Sequence, residues 1–504
     1  MISPVMGKPD PPIADAARST WRSYALPLIA VFFTVLGSRL WLIQSYGSDV
    51  PYWDQWDGEA AFLYKPMREH GFAAVAWFAP HNEHRIVLAR LTSAAMLWAN
   101  RQWDPLLQVC WEAVCAATIA ALLCVSAARL VHNERAIGLV FSFVLIGLSM
   151  PFGWENTLAG FQTPFYYLIL LALAMFQLCA YRGQLTWKRS FLIGTLGALS
   201  LITLASGALT CLAAACALAA RLAFARQTDT RQAATLTIVL MALTLIGLGT
   251  TPTVPGHLPL HAQNFSQFIT VLNLMLGWPT QFGGLIWLPF ATWCIQMLRQ
   301  RRIDAAGAFV LGLAVFVFVN AGATAYARGG SILNITLIAS RYTDVAWYAW
   351  LVNLLAVLLL VRSDDDRMTN ARRLVVIIAF VGGGAALIQA GLFGLTGAAD
   401  RGGLYVAQSA NTRNYLATGN QYVLRDKAFL QIPYPSADRL IQLLNDPTIR
   451  ALLPPGIKPG AGPGRLRGLV QFLIGIGRPL ALSGLLLFLA SIIYFPFRSN
   501  PKAA

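Results

Sequence analysis

The chain has 504 residues, 57% of them hydrophobic and 12% charged, with a mean hydropathy of +0.57. A soluble domain carries about 25% charged residues, so a soluble globular enzyme is excluded. The net charge of +16 would suit nucleic acid, but the basic residues stand in short clusters between apolar runs. That is the pattern of a polytopic membrane protein with its basic loops in the cytoplasm, and it excludes a nucleic-acid partner. The seven cysteines all lie within apolar runs; they offer no disulfide framework and no Cys-x-x-Cys pair, and read as small packing residues.

In chain order, residues 1–23 are a polar, mildly basic cytoplasmic tail, and a first span follows at about 24–46. No clean small-x-small cleavage site follows it, so it reads as an uncleaved signal anchor. Residues 47–103 form a large outside loop. In it, Asp57 is expected to cap a helix that runs to His70 and stops at Gly71, and Asn82 to cap a second helix over 83–98. Both are rich in aromatic residues and suited to lie in the membrane interface. Further spans are expected near 105–129, 136–150 and 163–181, as a tight pair over 190–223 turning at Ser206-Gly207, and near 232–249. Others end at Arg299, cover 305–320, end at Arg362, and cover 374–392.

The segment 264–279 reads as a short re-entrant or interfacial piece. Residues 24–392 then make one transmembrane domain and 393–467 a small polar non-cytoplasmic segment. Residues 468–504 hold a last span and a cytoplasmic tail with Arg498 and Lys502. The expected fold is an all-α polytopic membrane protein of about 12 transmembrane helices, with interfacial helices in the first outside loop. Both ends lie inside, because every expected inside loop is basic, among them Arg129 with Arg135, Arg182 with Lys188 and Arg189, and Arg221 with Arg226 and Arg231.

Chemistry gathers where the chain leaves the first span. Six of the 22 acidic residues fall between Asp49 and Glu83, with His70, His81 and His84 beside them. In Trp53-Asp54-Gln55-Trp56-Asp57, a carboxylate between two indoles at a membrane face is expected to be desolvated, with its pKa raised toward general-base work. The indoles Trp53 and Trp56 suit the C–H faces of a sugar. Asp57 reads as a helix cap. His81, Glu83 and His84, with Asp54, are the candidate ligands of a divalent metal ion, or a hydrogen-bonding group beside Asp54. Glu155 and Gln162 share a short outside loop, where an interfacial carboxylate is costly unless paired, capping or functional. Arg341-Tyr342, Arg328 and Arg39 stand at outer span ends, where an arginine either binds phosphate through its two-pronged edge or snorkels to headgroups.

Taken together, these features resemble the GT-C superfamily of integral-membrane glycosyltransferases. The motifs cover about the first third of the chain, and the rest agrees in architecture. The resemblance implies a polyprenyl-phosphate sugar donor, used at the periplasmic face of a bacterial inner membrane among membrane lipids. It implies an inverting displacement with Asp54 as the first-loop acid and Glu155 as the second. Arg341 would take the donor phosphate, and an envelope glycan, lipid or protein would be the acceptor. A lipid or solute transporter and a non-catalytic partner in envelope-polysaccharide assembly are the competing readings of the same residues.

Overall fold

The computed structural model describes residues 13–71, 74–131, 133–181, 183–224, 230–332, 338–362 and 370–494. The first half of the N-terminal tail, Arg182, Arg226, the apolar stretch 333–337, the loop 363–369 and the tail with Arg498 and Lys502 lie outside them. Among the described residues the fold is helical with no strand; two paired residues, His81 and His84, form an isolated bridge.

Seven helices are long and apolar enough to cross a membrane, and an eighth span is counted if the bent pair Arg467–Gly475 and Gly477–Ile493 is taken as one. The chain is an all-helical membrane protein. Thr163–Cys179, Trp187–Leu201 and Leu288–Gln300 also fall on expected spans, but hold 17, 15 and 13 residues. At 1.5 Å per residue they reach roughly 20–26 Å, against about 30 Å of hydrocarbon. The expected span 374–392 falls within one helix of 49 residues, Asn370–Thr418, which continues unbroken through Leu392 and Phe393 into the segment read as polar loop.

Helix starts follow local chemistry. Asp104 accepts from Leu106 N at 3.0 Å ahead of Pro105, and Asn133 accepts from Ala136 N at 3.1 Å; each side chain satisfies one of the orphan donors of a first turn. The expected turn at Ser206-Gly207 separates Trp187–Leu201 from Gly207–Phe224. A Cβ on Gly207 would sit 1.8 Å from Ser200 O, so only glycine fits there. The first and last spans pack backbone to backbone: a Cβ on Gly37 would lie 2.2 Å from Ala481 N. Small residues permit this approach where lipid gives no hydrophobic drive for association.

Two cores result. The bundle core joins Val144, Phe176, Phe316, Trp347 and their neighbours. A second core joins Trp56, Tyr64 and Trp103 of the first loop to Tyr405, Leu424, Leu440 and Leu444 near the C-terminus. The first loop and the segment beyond residue 400 are therefore one packed cap on one side of the bundle. Within that cap the first helix is Gln55–Tyr64, wound as a π-helix, followed by Lys65–Glu69, with Gly71 in the left-handed region at φ 74°. The second helix begins at Val87 rather than residue 83. Asn82 is no cap; it turns the chain at φ 51°, a conformation that asparagine tolerates.

Candidate functional site

Between cap and bundle lies a cleft of about 170 Å³ lined by Tyr52, Trp53, Asp54, Trp154, Glu155, Leu158, Ala159, Phe161, Gln162, Arg341, Arg401 and Tyr405. Three larger hollows, of about 590, 830 and 650 Å³, carry one arginine each, Arg135, Arg231 and Arg413. None gathers acids with bases. The small cleft does, and it draws Asp54, Glu155 and Arg341 together from three distant parts of the chain.

Asp54 owes its place to a kink. Trp53 is held at φ 48°, a strained setting for a bulky residue, by its N–H bond to Pro433 O at 2.9 Å. Asp54 then stands at the N-cap position of the π-helix without capping it. Its side chain is 54% exposed, and Oδ1 lies 3.6 Å from His81 Nε2. His81 is buried and fixed by reciprocal backbone bonds with His84, at 2.7 and 3.0 Å. Burial in the cleft wall pushes the Asp54 carboxyl up, but the adjoining His81 and the charges of Arg341 and His84 outweigh it and hold it below the usual carboxylate range. This corrects the expectation of a raised pKa.

The expected pair of indoles is not formed either. Trp53 stacks on Tyr52 with centroids 5.2 Å apart. Trp56 is fully buried, gives its Nε1–H to Pro51 O at 3.0 Å and meets Trp103 edge-on; it is core, not a sugar platform. Asp54 is thus a carboxylate that stays ionised throughout the neutral range, weaker as a base but always ready to accept.

Glu155 lies on the short helix Trp154–Leu158. Its Oε2 accepts from Ser340 Oγ and from Arg341 N, both at 3.0 Å, and so ties down the start of helix Ser340–Ala346. Asn156 Nδ2 donates to Arg341 O at 2.9 Å. Arg341 is thereby held at both of its backbone polar groups, with its guanidinium 5.3 Å from the Tyr342 ring centroid. Tyr342 itself packs against Val271 and Met275 and does not line the cleft. Gln162 does.

Several expected site residues do other work. Asp57 does not cap; it accepts from Arg439 at 2.6 and 3.1 Å and from the Tyr434 hydroxyl, fastening the C-terminal segment to the first loop. Arg39 is buried inside the bundle, 3.6 Å from Asp344, with Leu148 O and Thr157 Oγ1 as further acceptors; it offers nothing to a phosphate. Arg328 donates to Ala327 O and its charge bears on Glu83 and His84, away from the cleft lining. Glu83 pairs with His257 at 2.5 Å, and the pairing outweighs burial to hold its carboxyl low. His84 accepts from Ala205 N, and burial drives its pKa down to about 4. Asp54, His81, Glu83 and His84 thus diverge, and among the described residues no three His, Cys, Asp or Glu side chains gather to hold a metal ion.

Sequence reasoning missed two features. Glu59 is buried in the cap and takes hydrogen bonds from Ser93, Gln108, Trp103 and Gln55; burial outweighs those donors and pushes its carboxyl up to about 7. Arg401 enters the cleft from the 49-residue helix. It shares a helix face with Tyr405 and Gln408, at i+4 and i+7, a spacing that was there to be read. Compared with known protein families, with curated proteins and with solved structures, the chain finds no match in any of the three.

Proposed function

We propose that the chain is a membrane glycosyltransferase of the GT-C kind, which moves a sugar from a polyprenyl-phosphate donor to an envelope acceptor. The observation that carries this reading is the meeting of Asp54, Glu155 and Arg341 in one cleft where the cap meets the bundle. A lipid-linked sugar lying in the membrane would present its anomeric carbon at that height. Asp54 accepts the proton of the acceptor hydroxyl as its oxygen bonds to the anomeric carbon from the face opposite the phosphate. The bond from that carbon to the phosphate oxygen breaks, and its electron pair leaves on the lipid phosphate. Arg341 meets the charge that builds there, and Glu155 positions Arg341 through its backbone. His81 keeps Asp54 ionised and aimed. The displacement inverts the anomeric centre.

The finer architecture in this reading has about 12 spans, with both ends in the cytoplasm and the cleft on the periplasmic side of a bacterial inner membrane. The core shared by the first loop and the segment beyond residue 400 supports putting Asp54 and residues 393–467 on one side. No step is routed through a divalent ion, since the candidate ligands diverge. The test is transfer by the purified protein from defined polyprenyl-phosphate sugars, with the anomeric configuration of the product read by NMR. An inverted product supports the reading. No transfer from any such donor moves the transporter and assembly-partner readings ahead.

A further inference from the structure

We propose that Arg401 is a second anion-binding residue of the cleft, and that with Arg341 it matches a diphosphate, making the donor a polyprenyl-diphosphate sugar. The inference rests on the glycosyltransferase reading and deepens it by naming the leaving group.

Arg401 is 4% exposed. Its guanidinium carbon lies 3.4 Å from the Tyr52 ring centroid and 3.8 Å from that of Tyr405. Both rings are themselves anchored: Tyr405 donates its hydroxyl to Leu158 O at 2.7 Å, and Tyr52 stacks on Trp53. Stacking uses the flat faces of a guanidinium and leaves its rim of N–H groups for acceptors. On that rim, Nη2 reaches Gln408 Oε1 at 3.4 Å, while Nη1 is buried without an acceptor among the described residues. No ion pair joins Arg401 to a carboxylate within 4.0 Å among the described residues. Trp53 Nε1, from a residue lining the same cleft, is a second buried donor with no partner among the described residues. A buried donor left unpaired lowers stability, and both of these border the one cleft that also holds Arg341.

The cleft lining balances two carboxylates, Asp54 and Glu155, against two guanidiniums, Arg341 and Arg401, and what favours a second phosphate is the number of donors rather than net charge. Glu155 is engaged at one oxygen by Ser340 and by the backbone of Arg341, and Asp54 stands beside His81. Two guanidiniums from two different helices remain to share the ligand. Planar, pre-set guanidiniums are suited to phosphate oxygens, which they bind through paired N–H bonds. In the displacement, the acceptor oxygen bonds to the anomeric carbon and its proton passes to Asp54. The bond from carbon to the sugar-side phosphate oxygen breaks with its electron pair on that oxygen. The lipid diphosphate that leaves spreads its charge over both phosphates, and Arg341 and Arg401 meet it together.

The full-length protein in detergent is titrated calorimetrically with inorganic phosphate and inorganic pyrophosphate, then with polyprenyl monophosphate and polyprenyl diphosphate. Wild type should prefer each diphosphate over its monophosphate by roughly tenfold or more, the worth of one added charge-assisted contact. Arg401→Gln should remove that preference and leave monophosphate binding in place. Equal binding of phosphate and pyrophosphate by wild type overturns the proposal, even if Arg401→Gln fails to fold. So does a folded Arg401→Gln protein that keeps the preference. A preference for free pyrophosphate without one for the lipid diphosphate overturns the lipid assignment. The two readings fail separately: transfer from a monophosphate sugar alone sinks this proposal and keeps the glycosyltransferase. A diphosphate preference lost in Arg401→Gln, with no transfer from any donor, keeps the diphosphate site at Arg401 and sinks the glycosyltransferase together with the donor assignment.

Discussion

The short helix Trp154–Leu158 divides two arginine sites that look alike in composition and differ in kind. On one side, Asn156 and Thr157 face Arg39 and Asp344. Each of the three guanidinium nitrogens of Arg39 has an acceptor or a carboxylate in reach, and all of them belong to the protein. On the other side, Glu155 and Leu158 face the cleft with Arg341 and Arg401, where a buried N–H has no acceptor among the described residues. A guanidinium whose nitrogens are all met by the protein holds a bundle together; one that keeps an unpaired N–H on its rim can take an acceptor that arrives. Burial and residue type are shared by both sites, and both leave buried atoms unpaired. Beside Arg39 these are the acceptors Asn156 Oδ1 and Asp344 Oδ1; at the cleft they are the donors Arg401 Nη1 and Trp53 Nε1.

The comparison breaks most easily at Asp54. Asp54→Asn keeps size and polarity but cannot accept a proton, so transfer should fall by about 10² to 10⁴ with the melting temperature unchanged. Wild-type turnover in this variant would remove Asp54 from the chemistry. Arg39→Met should do the opposite. It strands Asp344 in the bundle and should cost about 3–5 kcal/mol of stability, most of it recovered in Arg39→Met/Asp344→Leu; thermal unfolding in one detergent decides. A stable Arg39→Met protein would show that the closed site is not holding the bundle. Arg341→Ala should weaken donor-lipid binding by about 1.5–3 kcal/mol without shifting the unfolding curve, and unchanged donor affinity would reassign the cleft.

The cap supplies two finer tests. The Glu59 carboxyl has its folded pKa raised to about 7 from an ordinary 4.5, so the folded protein holds more protons between those values. Its stabilising contribution is full below about pH 4.5 and is lost as pH rises through about 7. Stability curves of wild type and Glu59→Gln should therefore differ in slope across that window, whatever their absolute heights. Parallel curves would mean that Glu59 is ionised throughout. His84, neutral down to about pH 4, tilts both curves the other way and cancels in the difference. The smallest effect is at Asp57. Asp57→Asn should weaken its pairing with Arg439 by about 1 kcal/mol, seen as faster limited proteolysis of the C-terminal segment with transfer intact. A dead Asp57→Asn with a live Asp54→Asn would exchange the roles of the two acids.

Much of this was legible in the sequence. The long spans announce themselves by hydropathy, and the turn at Ser206-Gly207 by its small residues. Asp54, Glu155 and Arg341 each stand where an apolar run gives way to polar residues, and the fold brings the three into one cleft. What could not be read depends on distance in space. Asp57 finds its partner Arg439 382 residues away, which no local spacing reveals. Trp53 and Trp56 part company because a positive-φ kink precedes a π-wound turn, and neither feature has a reliable signature. The sign of the Asp54 shift turns on His81 and Arg341, which only the folded chain brings near. Arg401 was obscured for another reason: it lies in a helix that runs on where a change in composition suggested an end.

The cap core joins the two ends of the chain, with Trp56 and Trp103 on one side and Leu440 and Leu444 on the other. Synthesis at about 5–20 residues per second separates these halves by roughly 20–70 s. For that interval the aromatic face of the first loop has nothing to lie against but the membrane surface or a chaperone. Its tryptophans and tyrosines are suited to wait in the lipid interface. Maturation of the cleft is therefore paced by the ribosome's arrival near residue 450, and a chain truncated before that point would lack both the C-terminal half of the cap core and the last span that packs on the first.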